Sequence, residues 1–332
     1  MLEHGGNLRD AAAGFNRPLA QWLDLSTGIN PRHYPVPPLA PNAWHRLPEA
    51  SAELVEAAQA CYDAPRMLPV AGTQAVIQAL PRLRPRAQVI VAAPSYAEHA
   101  YCWTQAGHAV REIPYDRLAR NIEEADVVVV CNPNNPTGER IAPQVLLGWA
   151  ESLAARGGWL IVDEAFADTT PEISVVRWTD RPGLIVFRSV GKFFGLAGLR
   201  LGFVAAHERL LLELAEYLGP WSVCGPAQDI GDAALRDTQW QQATRKQLVH
   251  DGERLHHLLA AYGIHASGTA LFQWWPEPQP EVFKEHMARN GIWVRLFPDK
   301  ARGIRLGLPG NETDWQRLQE ALAAWTSQKG SK

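Results

Sequence analysis

The stretch Ser189-Val-Gly-Lys192-Phe-Phe-Gly195-Leu-Ala-Gly198-Leu-Arg200-Leu-Gly202 decides how this chain is interpreted. It joins two apolar runs, residues 184–187 and 202–205, whose composition predicts buried strands. Lys192 therefore lies in a small, glycine-rich loop, with a hydroxyl three residues before it and an arginine eight residues after it. A lysine held there can lose its proton and form an imine, while Ser189 and Arg200 bind an anion beside it.

A lysine flanked by a hydroxyl and an arginine is typical of a site for pyridoxal phosphate. This cofactor needs a Schiff base at one end and phosphate ligands at the other. Two alternatives stay open on these residues alone. One is a solvated loop lysine in an ordinary strand-turn-strand. The other is a nucleotide-binding P-loop, which is weaker because Phe193 stands where Ser or Thr would ligate magnesium.

Two upstream segments favour the cofactor interpretation. The run at 127–130 predicts a buried strand that leads into Cys131-Asn-Pro-Asn-Asn135-Pro-Thr-Gly138, where two prolines make the loop rigid enough to present an asparagine amide. The run at 159–162 predicts another strand, ending at Asp163. A carboxylate at that end of an α/β sheet faces the ligand crevice and could pair with a protonated pyridine nitrogen. Singly, Asp163 could be a helix N-cap and the Asn-Pro cluster a tight turn.

On these motifs the chain resembles the fold-type-I pyridoxal-phosphate enzymes, the aspartate-aminotransferase superfamily, over nearly its whole length. The most specific signals are Asn-Asn-Pro-Thr-Gly at 134–138 and Ser-x-x-Lys followed by Gly-x-Arg-x-Gly at 189–202. The resemblance implies the pyridoxal 5'-phosphate (PLP) cofactor and an α/β fold, with a mostly parallel central sheet and a smaller C-terminal α+β domain. It places Asn135 on the ring hydroxyl, Asp163 on the ring nitrogen and Lys192 in the imine.

The same resemblance assigns the remaining cofactor ligands. Ser189 and Arg200 would bind the cofactor phosphate, together with the start of a helix at Gly72-Thr73-Gln74, where unpaired N–H groups favour an anion. Tyr96 would stack on the pyridine ring. The alternatives are a plain threonine N-cap at the helix start and a core aromatic at Tyr96.

Within the superfamily, the chain is most similar to the threonine-phosphate decarboxylase family of cobalamin biosynthesis, with the histidinol-phosphate aminotransferase family as its neighbour. Three stretches carry this finer likeness: His4-Gly-Gly-Asn7, Asp24-Leu-Ser-Thr-Gly28-Ile-Asn-Pro31 and Pro220-Trp-Ser-Val223.

The substrate pocket is expected to depend on two arginines near the C-terminus, because guanidinium groups bind carboxylate and phosphate with paired hydrogen bonds. By resemblance, Arg305 binds the substrate carboxylate and Arg295 its phosphate. His4, Gly5 and Gly28 would complete the phosphate pocket, and Asn135 would contribute to substrate binding as well. An arginine on a strand is, taken alone, usually a surface ion pair.

Two positions depart from the superfamily pattern. Phe166 stands where many relatives have a tyrosine that donates to the ring hydroxyl, and the decarboxylase family shares this phenylalanine. The loss of that donor should raise the pKa of the imine. Leu47 stands where a tyrosine normally reaches the partner subunit's cofactor phosphate, which puts that contact in doubt but not the expected homodimer.

Decarboxylation of O-phospho-L-threonine to (R)-1-aminopropan-2-yl phosphate and carbon dioxide is therefore the leading expectation for this chain, as a carbon-carbon lyase. An aminotransferase acting on histidinol phosphate is the runner-up. A non-catalytic, cofactor-binding regulatory protein is a third possibility of another class.

Composition sets broad limits. With 332 residues, 46% of them hydrophobic, the chain can bury a large core. The expected organisation is an N-terminal arm at 1–45, a large domain at 46–225 and a small domain at 226–332. A net charge of −3 argues against nucleic acid or an anionic membrane as the main partner. Four scattered cysteines without metal-ligand spacing predict buried, reduced thiols in a cytoplasmic protein and no metal site.

Apolar periodicity predicts alternating strands and helices, hence a mostly parallel sheet covered on both faces. The expected strands span 88–92, 127–130, 159–162, 184–187 and 202–205. The expected helices run from 72 to about 80, 96–106, 145–155 and, as one long helix, 233–261.

Overall fold

The computed structural model describes residues 5–298 and 300–330, without the side chains of 328–330. The chain divides into two compact units. The larger unit comprises 33–135 and 139–245, and the smaller unit comprises Met1–Arg32, Pro136–Gly138 and Lys246–Lys332.

The larger unit is built on a seven-stranded sheet in the order β2-β8-β7-β6-β5-β3-β4. Five neighbouring strands, from β7 to β4, run parallel, and the β7–β8 and β8–β2 pairs are antiparallel. The strands are β2 (Leu68–Val70), β3 (Gln88–Ala93), β4 (Ala109–Pro114), β5 (Val127–Cys131), β6 (Trp159–Asp163), β7 (Leu184–Ser189) and β8 (Gly202–Ala205). This sheet confirms the expected mostly parallel α/β fold.

Helices of the larger unit follow or precede these strands. They are α2 (Asn42–His45), α3 (Ala52–Tyr62), α4 (Thr73–Ala79), α5 (Ala97–Gln105), α6 (Pro143–Ala154), α7 (Glu208–Leu218) and α8 (Gly225–Arg236). Strands β5, β6 and β7 are buried throughout apart from Trp159 at the start of β6, because β-branched and apolar side chains occupy both faces. Their carboxyl ends therefore form a fixed edge from which polar side chains can project.

The smaller unit contains a four-stranded antiparallel sheet in the order β12-β13-β10-β9 and a two-stranded parallel pair, β1 with β11. Its elements are α1 (Leu8–Gly14), β1 (Leu23–Asp24), β9 (Ser267–Thr269), β10 (Phe272–Trp275), α10 (Pro280–Arg289), β11 (Ile292–Trp293), β12 (Arg295–Phe297), β13 (Gly303–Gly307) and α11 (Glu312–Gly330). Helix α9 (Thr238–Ala261) contains the boundary between the two units at 245/246.

These limits differ from the domain limits expected from the sequence. Residues 226–245 group with the larger unit because α8 packs on α3, where Gln228 Oε1 accepts a hydrogen bond from Ser51 N. The first 32 residues group with the C-terminal part because Leu23 pairs with Ile292 in a parallel ladder.

The single helix expected at 233–261 is wrong. The chain forms two helices, and Asp237 separates them with a non-helical ψ of 75°. The carboxylate of Asp237 accepts a hydrogen bond from Trp240 N at 2.9 Å, which caps the start of α9. An aspartate inside a polar-faced helical pattern is a local stop signal that the periodicity does not reveal.

The expectation that all four cysteines are buried is also wrong in part. Cys102 and Cys131 are buried, Cys61 is half-buried and Cys224 is exposed, and none forms a disulfide. Cys224 lies directly before α8, where the preceding loop leaves its side chain in solvent. Among the described residues, no helix is both long and apolar enough to cross a membrane.

Candidate active site

A cavity of about 180 Å³ in the larger unit brings together the predicted cofactor residues. We call it the Lys192 cavity. Every residue expected to bind the cofactor lines it: Gly72, Thr73, Gln74, Tyr96, Asn135, Asp163, Ser189, Lys192 and Arg200. These positions run from residue 72 to residue 200, so their convergence is a result of the fold and not of local proximity.

Parallel strand register explains why the side chains meet. Cys131 at the end of β5 lies opposite Asp163 at the end of β6, which in turn lies opposite Phe187 in β7. Asn132 N donates to the Asp163 carbonyl at 2.9 Å, so the ladder continues one residue into the loop. The carboxyl ends of neighbouring parallel strands thus deliver an amide, a carboxylate and the lysine loop to one edge.

The asparagine-proline loop is held in place by its own side chains. Asn132 exchanges two hydrogen bonds with the backbone of Ile141, at 3.1 and 2.8 Å. Asn134 donates to the Pro94 carbonyl at 2.8 Å and accepts from Tyr115 at 3.0 Å. Two of the three asparagines are therefore structural, and the third, Asn135, lines the cavity.

Glycines allow the backbone and Arg200 to converge at one part of the cavity. Gly72 has a φ of +73°, and a Cβ there would lie 2.6 Å from Arg200 Nη2. A Cβ at Gly202 would lie 2.9 Å from Thr73 N. With Ser189 in the same lining, this cradle of donors fits a phosphate group, and the carboxylate of Asp163 fits a protonated ring nitrogen. The residues present therefore fit PLP.

Tyr96 is positioned by a hydrogen-bonded chain. Its hydroxyl donates to Gln74 Oε1 at 3.2 Å, and Gln74 Nε2 donates to Glu98 at 2.8 Å. Burial, followed by the negative charge of Glu98, holds the pKa of Tyr96 above its usual value, so the phenol stays neutral. Gln74, expected only as a phosphate ligand, thus also fixes the aromatic ring.

Lys192 is half-buried, and its Nζ lies 5.5 Å from the centroid of the Phe166 ring. Phe166 is itself buried and lines the cavity. The phenyl ring offers an apolar, aromatic surface and no hydroxyl where a tyrosine would donate a hydrogen bond. The structure therefore places Phe166, rather than a hydrogen-bonding tyrosine, against the cavity, as the sequence pattern indicates.

Asp163 is buried, and both of its oxygens have protein partners. Oδ1 accepts from Ala165 N at 3.0 Å, and Oδ2 lies 3.0 Å from His99 Nε2. His99 is also buried. Burial alone would lower the pKa of His99, but hydrogen bonds with Asp163 and Cys131 outweigh it and raise this pKa to about 10.

His99 and Cys131 were not among the residues predicted for the site. A ring nitrogen of His99, the Cys131 sulfur and an Asp163 oxygen lie within 4.8 Å of one another, a donor set that could also ligate a metal. A protonated imidazole has no lone pair for a metal, so the raised pKa favours hydrogen bonding. Only pairing between elements distant in sequence creates this cluster.

A buried ion-pair network supports the ends of β6 and β7. Arg188 contacts Glu164 and Asp168, each at 3.0 Å, and all three side chains are buried. Burial raises the pKa of Glu164, and the charge of Arg188 opposes this rise. The network adjoins Asp163 and Ser189 in sequence and thereby fixes the strand ends that carry them.

The smaller unit brings the two predicted substrate arginines side by side. Arg295 and Arg305 are direct cross-strand partners in β12 and β13. Both guanidinium groups lie near the Phe297 ring, with centroid distances of 5.2 and 5.8 Å. Burial, and next the charge of Arg295, lowers the pKa of Arg305 to about 9. Two adjacent cations, Arg305 buried and Arg295 half-buried, suit an anionic ligand.

The N-terminal segment contributes to the surroundings of Arg305. Arg305 Nη2 donates to the Ser26 carbonyl at 2.9 Å, and Gly6 N donates to Ser26 Oγ at 2.8 Å. A Cβ at Gly5 would lie 2.5 Å from the Ser26 carbonyl oxygen, so Gly5 is close to this group. Gly28, two residues after Ser26 in the sequence, is also buried. His4 lies outside the described residues.

Comparison with known proteins agrees with this architecture. The family model for aminotransferase class I and II matches residues 42–322. The chain belongs to this family. It is 51% identical to the threonine-phosphate decarboxylase of Pseudomonas aeruginosa over 97% of both chains. It is 42% identical to the enzyme of the same name from a Sinorhizobium species, over 97% of this chain and 98% of the relative.

A solved structure shows the same fold. Histidinol-phosphate aminotransferase from Sinorhizobium meliloti, in complex with pyridoxal-5'-phosphate, superposes with a TM-score of 0.80 at 19% identity and covers 97% of this chain and 95% of its own. Together with family membership, these findings confirm the expected fold, the expected cofactor PLP and the expected class of cofactor-dependent enzyme.

Proposed function

We propose that this chain decarboxylates O-phospho-L-threonine, giving (R)-1-aminopropan-2-yl phosphate and carbon dioxide. The observation that carries the proposal is the near-full-length likeness to threonine-phosphate decarboxylases at 51% and 42% identity. The paired arginines of the smaller unit support it, because the substrate carries both a carboxylate and a phosphate.

Each group in the Lys192 cavity has a proposed task. Lys192 would hold PLP covalently, Asn135 would bind its ring hydroxyl and Tyr96 would cover its ring. Ser189 and Arg200, with the backbone at Gly72 and Thr73 and with Gln74, hold the phosphate of the cofactor. When bound, PLP supplies an electron sink for the pair left at the substrate Cα.

Asp163 would stabilise a positive charge on the ring nitrogen of PLP, because a buried carboxylate interacts strongly with a nearby cation. Its own orientation is fixed by Ala165 N and His99. We assign the return of a proton to Cα, after carbon dioxide leaves, to the Nζ of Lys192.

Substrate orientation decides which Cα bond breaks, since only a bond held perpendicular to the conjugated ring can pass its electrons into it. We propose that Arg305 binds the carboxylate and Arg295 the phosphate, so that binding energy at the phosphate helps to hold the carboxylate in that orientation. Gly5 and Gly28 would support the phosphate site, and so would His4. The steric role of Phe166 is to line the cavity without donating to the ring oxygen.

The reaction can be tested directly. Wild-type protein loaded with PLP and given O-phospho-L-threonine should release one carbon dioxide for each aminopropanol phosphate formed, without forming a 2-oxo acid. Release of a 2-oxo acid without carbon dioxide would contradict the proposal and favour the aminotransferase alternative.

We also propose that the enzyme is a cytoplasmic homodimer. Large apolar side chains of the larger unit are exposed: 72% of Trp44, 66% of Leu47 and 60% of Trp221. Trp221 lies four residues before Gly225, where a Cβ would lie 2.4 Å from the Ala43 carbonyl oxygen in α2. Exposed apolar surface of this kind marks an interface. The unpaired cysteines fit a reducing compartment.

Light scattering during size-exclusion chromatography tests the dimer. The wild type should elute with twice the mass of the chain, and Trp44→Glu should shift it towards the monomer. Glu56→Ala, on an exposed position of α3, is the control. A monomeric wild type at micromolar concentration would contradict the proposal.

A further inference from the structure

Ser26 lies in a rigid part of the smaller unit, between two sheet elements. Strand β1 ends at Asp24, and Leu25 N donates to the Trp293 carbonyl at 2.8 Å. The Leu25 carbonyl accepts from Gly307 N at 2.8 Å, so the chain crosses from β11 to the end of β13. Ser26 itself is only 1% exposed. A hydroxyl buried at such a place is expected to bond to other groups of the protein.

Neighbouring residues fix both roles of the Ser26 hydroxyl. Oγ donates to Asp24 Oδ1 at 2.6 Å, and the same carboxylate oxygen accepts from Ser26 N at 2.8 Å. Because a hydroxyl has one proton, Oγ can only accept in its other hydrogen bonds. It accepts from Gly6 N at 2.8 Å. The bond from Ser26 N to Asp24 is an ordinary Asx turn, but Gly6 lies 20 residues away in the chain, so this second contact is not local.

The carbonyl of Ser26 contacts the arginine pair. It accepts from Arg305 Nη2 at 2.9 Å, and Arg305 is the cross-strand partner of Arg295. A Cβ at Gly5 would lie 2.5 Å from the same carbonyl oxygen, so residues 5–7 can approach this closely because Gly5 has no side chain. Ser26 thus joins residues 5–7 to the two arginines through its two oxygen atoms.

We propose that Ser26 is a positioning residue for the phosphate of the substrate. Its hydroxyl holds residues 5–7 beside Arg295 and Arg305, so the phosphate meets an assembled site and less binding free energy is lost to ordering of the chain. Asp24 acts one step further away, because it fixes the direction of the hydroxyl. The inference rests on the phosphate site proposed above for Arg295 and Gly5, and it gives Ser26 a task in which it does not contact the phosphate.

Hydrogen exchange of the PLP-loaded enzyme, followed by mass spectrometry, tests the contact without any need for turnover. Ser26→Ala keeps the carbonyl that binds Arg305 and removes the acceptor for Gly6 N. Peptides that contain Gly6 should therefore exchange faster in Ser26→Ala, whereas Ser26→Thr, which keeps the hydroxyl, should exchange like wild type. Thr326→Ala is the matched control, because that hydroxyl bonds to carbonyl groups of its own helix, α11. Unchanged exchange at Gly6 in Ser26→Ala would overturn the inference.

Ligand binding tests a selectivity that a merely structural serine would not show. The expected product, (R)-1-aminopropan-2-yl phosphate, carries a phosphate and no carboxylate, whereas L-threonine carries a carboxylate and no phosphate. Ser26→Ala should weaken binding of the phosphate compound by about three- to tenfold, the scale of one lost hydrogen bond, and binding of threonine by less than about twofold. Calorimetric titration measures both dissociation constants. Equal losses for the two ligands, or no loss for either, would overturn the inference.

A second variant decides the question if Ser26→Ala does not fold. Gly5→Ala changes an exposed position and places a methyl group against the Ser26 carbonyl, so it should displace residues 5–7 and weaken binding of the phosphate compound more than that of threonine. Unchanged binding of both ligands in Gly5→Ala would then overturn the inference. A wild type that releases no carbon dioxide from O-phospho-L-threonine would overturn the proposed function alone, because the selective loss of phosphate binding would still support the role of Ser26.

Discussion

Lys192 is the residue on which the cofactor chemistry depends. We expect Lys192→Ala to lose the visible absorbance that PLP acquires on forming an imine with the protein, and to lose decarboxylation, because no other group would take its place in the cavity lining. Absorbance after reconstitution and release of carbon dioxide are the measurements. Lys246→Ala, at an exposed position of α9, should retain both properties.

Asp163 is expected to contribute mainly through its charge. Asp163→Asn keeps the size of the side chain and removes the charge, so turnover should fall by about 10²–10³, the range found when a preorganised electrostatic group is deleted. Steady-state rates with phosphothreonine measure this loss. Asp180→Asn, which is exposed, is the control, and near-normal turnover in Asp163→Asn would show that the carboxylate is only structural.

The protonated state of His99 should be visible in stability. Its pKa is raised from 6.5 to about 10 on folding, so its stabilising contribution is complete below pH 6.5 and is lost as the pH rises towards 10. The free energy of unfolding from denaturant titrations should therefore fall between pH 7 and 10, and more steeply in wild type than in His99→Asn. Parallel curves would mean that His99 is neutral in the folded protein.

At the scale of elements, the start of α9 provides a test of local stability. Asp237→Ala removes the acceptor for Trp240 N and should cost about 0.5–2 kcal/mol, the usual range for loss of an N-cap. Urea titration would measure the change. Asp229→Ala, exposed in α8, should change stability by far less.

The sequence was sufficient to predict the central strands of the seven-stranded sheet but not its two edge strands. Strands β3, β5, β6, β7 and β8 agree with prediction within one or two residues, because continuous apolar runs are unambiguous. The two edge strands, β2 and β4, were not predicted. Pro69 lies within β2, and β4 contains the exposed Arg111 and Glu112, so neither shows a buried pattern. Edge strands need only one partner and tolerate polar side chains.

The residues of the candidate site could likewise be predicted only where a local sequence pattern marks them. Asn135, Asp163 and Lys192 could be predicted because each follows a strand, and parallel strands place such positions together. His99 could not, because its role comes from an imidazole reaching Asp163, 64 residues away in the chain. Pairing between side chains of separate elements leaves no local pattern in a single sequence.

At the scale of the whole molecule, the reaction depends on anchoring the substrate phosphate. Phosphate binding that also orients the carboxylate should affect the rate as well as the affinity, since that part of the binding energy is used in the transition state. Arg295→Ala should therefore lower the turnover number for phosphothreonine as well as raise KM, and unphosphorylated threonine should react very poorly with wild type. Arg302→Ala, which removes an exposed side chain that pairs with Glu281, is the control.

If Arg295→Ala changes KM alone, the phosphate serves only for binding. If wild type converts histidinol phosphate with 2-oxoglutarate and releases no carbon dioxide from phosphothreonine, the same residues serve transamination, because the two reactions differ in which Cα bond is held perpendicular to the ring.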